Sequence, residues 1–154
     1  MNPGQIGLIF ATQALFNALS RIPFGRLSDT VARRSDLVVV GLLGLTGAVA
    51  SFGIASGMIA FILSAAGLGI SIGIAYTAIG ALIPEVAKAD SRGLAMGGYN
   101  SCIYLGMMLS SLGMGALVGD LGFRNCFFIV ALINLVTTGV FQLGMRNSGA
   151  VRRL

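Results

Sequence analysis

Apolar residues run almost unbroken through this chain, interrupted at four places by short clusters of charge. Met1 to Ser20 carries no charged side chain, and neither does any residue in 37–84, 93–119 or 125–145. A helix that crosses a bilayer needs about 20 mainly apolar residues. The run 37–84 would make a helix about 70 Å long at 1.5 Å per residue, so it must fold back once. The small residues of "SFGIASG" at 51–57 mark that turn. The pattern therefore predicts an all-α, polytopic membrane protein with about five transmembrane helices, over 5–24, 37–53, 58–82, 94–118 and 125–145. Residues 1–154 read as one transmembrane domain. Met1–Ser20 lacks the basic start of a secretory leader and reads as the first span.

Composition agrees. Hydrophobic residues make up 56% and charged ones 10%, against roughly a quarter charged in soluble domains. Such a chain has too little polar surface to cover itself in water. It contains no histidine, which argues against a zinc site or a histidine-based triad and hence against an enzyme. No metal or other cofactor is expected. Cys102 and Cys126 fall at depths about 24 Å apart, beyond disulfide reach.

Charge sets the expected orientation. On the five-span map, Arg21, Arg26, Arg33, Arg34, Lys88, Arg92, Arg146, Arg152 and Arg153 share one side, and Arg124 alone lies on the other. The positive-inside rule makes the basic side cytoplasmic, in a plasma or inner membrane. The net charge of +5 is then a topology signal and calls for no nucleic acid. With the C-terminus inside, five spans leave the N-terminus outside, so a helix or more is expected ahead of Met1.

Few side chains offer chemistry inside the spans. Arg21 lies about a turn from the end of the first and is expected to snorkel to the interface. Gln13 and Asn17, four apart, share one helix face, as do Asn100 and Tyr104, while Tyr76 sits mid-span with Thr77. These residues either line a polar cavity or hydrogen-bond between helices. Ser111, Gly115 and Gly119 recur every four residues, as do Gly69 and Gly73. Both stripes read as packing sites where helix backbones approach closely.

The first charged cluster, "GRLSDTVARR" at 25–34, resembles the signature loop of the major facilitator superfamily. Gly25, Asp29, Arg33 and Arg34 fall in its pattern with Leu27, while Thr30 and Ala32 depart from it. The stretch 92–128 is similar to that superfamily's Arg-Gly-x-Ala-x-Gly loop, glycine-rich helix and Gly-aromatic-Arg-x-x-Phe entry to the next helix. The resemblance implies a twelve-helix transporter built of two six-helix halves, of which this chain would be helices 2–6 or 8–12, the second favoured by two absences. The third span lacks the arginine, and the fourth lacks the Gly-Pro pair, that the superfamily's antiporters usually carry in helices 4 and 5. By the same resemblance, Gly25 would form a tight turn in a gating loop and Asp29 would latch onto a helix of the other half. Arg33 and Arg34 would pair with acids or lipid phosphates. Gln13, Asn17, Tyr76, Asn100 and Tyr104 would line the substrate cavity. The implied function is a share in secondary transport of a small solute by alternating access. The implied partners are membrane lipid, the solute, and the N-terminal half or a second copy. The rival expectation is a small helical membrane protein, or an inert remnant, that transports nothing.

Overall fold

Two glycines stand at backbone angles that only glycine occupies readily, and both mark breaks in helix. Gly57 has φ 83° and ψ 161°, and Gly122 has φ 73° and ψ 159°, where a side chain would clash with its own backbone. The computed structural model describes residues 1–30 and 34–147. Four α-helices account for most of them: α1 (Pro3–Thr30), α2 (Arg34–Ile54), α3 (Met58–Val86) and α4 (Arg92–Asn147), with one 3₁₀ turn at Ala89–Ser91. No strand occurs among the described residues.

The turn expected at 51–57 lies at 55–57, just ahead of α3. The fourth and fifth expected spans form the 56-residue α4, which Gly122 breaks into two limbs. Leu109, Gly113 and Leu117 on the first limb line a shared groove with Ile133, Ile129 and Cys126 on the second. The limbs therefore run antiparallel. By length and composition α2, α3 and α4 can cross a membrane. The first expected span, 5–24, falls within α1, whose 28 residues are long enough to cross and whose apolar character Gln5, Gln13 and Asn17 dilute.

The helices do not pack in chain order. α1 packs chiefly on α3, α3 on α2, and α2 on the second limb of α4. The α1–α3 pair is parallel and very close. A Cβ on Gly69 would strike the Gln13 carbonyl and come within 3.0 Å of the Asn17 nitrogen; one on Gly73 would strike Ser20. The α2–α3 pair is antiparallel and also glycine-mediated, with a Cβ on Gly41 falling 2.7 Å from the Ala75 nitrogen. Val38, Ala78 and Leu82 form a small core, joined by Phe141 and Met145 of α4. At the far end Phe52 stacks on Phe127, ring centres 5.6 Å apart.

Most hydroxyls bond back into their own helix. Thr46 donates to Leu42, Ser71 to Gly67, Thr77 to Gly73 and Thr138 to Asn134, which satisfies them where water is absent. Polar ties between helices are few. Ser51 meets Ser64 at 2.8 Å, and the Asn134 amide donates to the Leu42 carbonyl at 3.0 Å and to Thr46 Oγ1 at 2.9 Å.

Candidate functional site

At the basic end, the residues expected to form a loop do not all lie in one. α1 continues through Pro23 and Gly25 as far as Thr30, which corrects the reading of Gly25 as a tight turn. A glycine here relaxes packing instead, since a Cβ would meet only the Thr77 methyl, at 3.7 Å. Asp29 occupies the last turn of α1, with its side chain outside the described residues, as is Arg33 altogether. A carboxylate there opposes the dipole of its own helix and is favoured by the N-terminus of another.

Arg34 opens α2 and reaches across two other helix ends. Its Nε donates to the Ser28 carbonyl at 3.2 Å, and its Nη1 donates to the Ala81 carbonyl at 3.4 Å. The same nitrogen lies 3.5 Å from Glu85 Oε2. The Ser28 carbonyl belongs to the last turn of α1, which has no partner within its own helix. One guanidinium thus ties the ends of α1, α2 and α3 together. Sequence spacing gave no hint of Ala81 or Glu85 as its partners, because they lie some fifty residues away.

A second polar group forms deeper in the bundle. Gln13, Asn17 and Arg21 follow one another at four-residue steps along α1. Gln13 and Asn17 are half-buried, and Asn17 Oδ1 accepts a hydrogen bond from Arg21 Nε at 3.1 Å. Tyr76 of α3 and Tyr99 of α4 are half-buried too. Arg21 is five residues in from Arg26 and Tyr99 seven in from Arg92, each about 7–11 Å along its helix. Arg21 is exposed while bonded to Asn17.

The Tyr99 hydroxyl is buried and has no hydrogen-bond partner; among the described residues only Ser28 shares that condition. Buried polar atoms are nearly always paired, which makes this hydroxyl an exception among the described residues. Its neighbours Asn100 and Tyr104, expected to line a cavity, lie on the open side of this limb. Asn100 is exposed and Tyr104 is 70% exposed. The half-buried face of this limb is Met96, Tyr99 and Ile103, a spacing of three and four that places them on one side. That periodicity was the available signal.

The two small-residue stripes differ. Gly69 and Gly73 are buried at the α1–α3 seam. Ser111 is exposed, and a Cβ on Gly115 or Gly119 would meet nothing within 4 Å. Within this chain that stripe packs on no helix. Both cysteines are free, Cys102 exposed and Cys126 buried. Among the described residues no group of ligands is placed to hold a metal ion.

Comparison with known proteins adds a family match and several relatives. The family model described as Major Facilitator Superfamily matches residues 1–150. An uncharacterized MFS-type transporter of Schizosaccharomyces pombe is 29% identical over 84% of this chain and 30% of its own length. The multidrug resistance protein MdtG of Dickeya zeae is 30% identical, over 82% of this chain and 31% of that protein. A protein of Staphylococcus epidermidis named "Probable nitrate transporter NarT" is 27% identical, over 99% of this chain and 39% of that protein. The chain thus spans about a third of the length of the curated relatives it matches. No solved structure matches it.

Proposed function

Because this chain belongs to the Major Facilitator Superfamily and is an integral membrane protein, we propose that it forms helices 8–12 of a secondary transporter that moves a small solute by alternating access. One observation carries this reading. In a chain with 10% charged residues, Asn17 of α1 accepts a hydrogen bond from Arg21, and the half-buried Tyr76 and Tyr99 stand on α3 and α4, in segments that would cross the membrane. Polar and ionisable groups are expensive there and are kept where they face a pathway.

The tie at Arg34 fits the same cycle. Alternating access opens and closes one side of a helix bundle around a central site. A guanidinium that joins three helix ends is placed to hold the basic, cytoplasmic side in register. The first limb of α4 exposes Leu105, Met107, Met108, Leu109 and Leu112. Lipid and the remaining helices of the transporter, or a second copy of the chain, would cover them. The relatives' names point to different solutes.

The test is solute uptake by proteoliposomes that hold either the 154-residue chain alone or the chain with the proposed remaining helices. Saturable flux is expected only from the second preparation. Flux from the first would make the chain a half-transporter acting as a homodimer, and flux from neither would leave it a non-transporting membrane protein.

A further inference from the structure

The end of the bundle opposite Arg34 holds a cavity of about 580 Å³ whose lining is apolar but for one residue. Phe10 of α1, Phe52 of α2, Phe61 of α3, and Phe123 and Phe127 of α4 contribute rings, and Arg124 is the charged exception. Pockets of this size commonly hold a small ligand. Packing sets the rings: Phe52 stacks on Phe127 and stands 6.1 Å from Phe61, centre to centre. Packing sets Arg124 as well. A Cβ on Gly53 would come within 3.2 Å of the Arg124 carbonyl, so the last turn of α2 lies against the start of the second limb. Arg124 is exposed and pairs with no acid among the described residues. Depth orders the lining. Arg124 is two residues in from the break at Gly122, about 3 Å along the helix. Phe61 is four in from Gly57, Phe127 five in from Gly122 and Phe10 seven in from Pro3, or about 6–10 Å.

We propose that this cavity holds an anionic phospholipid of the surrounding bilayer, its acyl chain among the phenylalanines and its phosphate at Arg124. Such a site needs no transport activity. The breaks at Gly57 and Gly122 end the spans on this side, so the mouth of the cavity stands at headgroup level. Charge at the mouth and rings further in repeat the polarity order of a lipid. The sign of the headgroup follows from Arg124. Phenylalanine faces alone would suit a quaternary ammonium, but a guanidinium at the same mouth repels a cation and attracts a phosphate. α3 and the second limb of α4 also begin at this end, and helix N-termini favour anions. A free phosphate would use the mouth and leave the rings without a partner. Hydrocarbon already surrounds an acyl chain in the bilayer, so its gain on entry is packing against the rings. The headgroup therefore sets the selectivity.

The test is native mass spectrometry of the 154-residue chain released from nanodiscs of equal parts phosphatidylglycerol and phosphatidylcholine. We expect one phosphatidylglycerol to be retained in preference to phosphatidylcholine. Arg124→Gln should lower that preference about fivefold, the weight of one basic residue at an anionic membrane surface. Arg92→Gln, at the opposite end of the bundle, is the control and should leave it unchanged. Phe10→Ala removes an exposed ring that takes part in no ring pair. It should weaken retention of both lipids while keeping the preference between them, which separates the chain's contact from the headgroup's. Glycerol 3-phosphate, added as a competitor, should displace the lipid poorly, because it lacks the chain. Equal retention of the two lipids by the wild type overturns the proposal. So does an Arg124→Gln variant that behaves like Arg92→Gln, since the preference would then reflect basic charge in general. Displacement by glycerol 3-phosphate as effective as by added phosphatidylglycerol also overturns it, and would make Arg124 a site for free phosphate.

Discussion

At the residue scale, two kinds of glycine in this chain predict opposite outcomes for one substitution. At Gly69 the first added carbon would run into the Gln13 carbonyl, a backbone atom that cannot turn aside. Gly69→Val should therefore push α1 off α3 and cost about 1–3 kcal/mol, as overpacking typically does. Gly115→Val meets open space and should stay within about 0.5 kcal/mol, like other substitutions that touch nothing. Thermal melts of both variants in detergent check the contrast. Equal destabilisation in the full transporter would mean that the 111–119 stripe packs on helices outside this chain. Arg34 offers a third case. Glu85→Gln removes only a half-exposed ion pair, a matter of up to about 1 kcal/mol. Arg34→Ala also strips the Ser28 and Ala81 carbonyls of their donor, so it should lower the melting temperature further than Glu85→Gln does.

The elements owe their ends to backbone chemistry and their pairing to small residues. α2 and α3 are separated at Gly57, and α4 turns back at Gly122, because both glycines adopt angles denied to other residues. Gly122→Ala should cost about 1–3 kcal/mol and splay the two limbs of α4. A cysteine pair across the groove, replacing Leu117 and Ile129, would report this as a change in crosslinking. Unaltered crosslinking and stability would show that the reversal does not depend on glycine. The second limb is held to α2 by Asn134, whose amide bridges Leu42 and Thr46. Such a membrane-buried tie is worth about 0.6–2 kcal/mol. It explains why a residue with cavity-like chemistry serves packing here.

For the whole molecule, the charge distribution and the helix directions make one topological statement. α1 and α3 run parallel, with their basic-end residues meeting at Arg34, and Gly57 lies at the opposite end. In a background without Cys102 and Cys126, a cysteine at 57 should react with an impermeant reagent in intact cells. Cysteines at 88 and 146 should not. Labelling of 88 or 146 instead would invert the orientation and place the Arg34 tie outside. The packing order also joins α1, α2 and α3 tightly through glycines.

The amino-acid sequence by itself determined what depends on one-dimensional pattern. Apolar length against bilayer thickness fixes an all-helical membrane protein, and the spacing of charges fixes which ends lie together. The small residues at 51–57 announce one break, and the four-residue step from Gly69 to Gly73 announces a close helix seam. What it left open is rotation. A soluble helix declares its buried side because the other side is polar. Here nearly every face is apolar, so neighbouring positions such as Tyr99 and Asn100 look alike until packing turns one inward. Only the tertiary structure decided that Tyr99 is half-buried while Asn100 and Tyr104 are exposed. It alone brought Arg34 to Ala81 and Glu85, since that meeting depends on α1 packing on α3 and not on its neighbour in sequence.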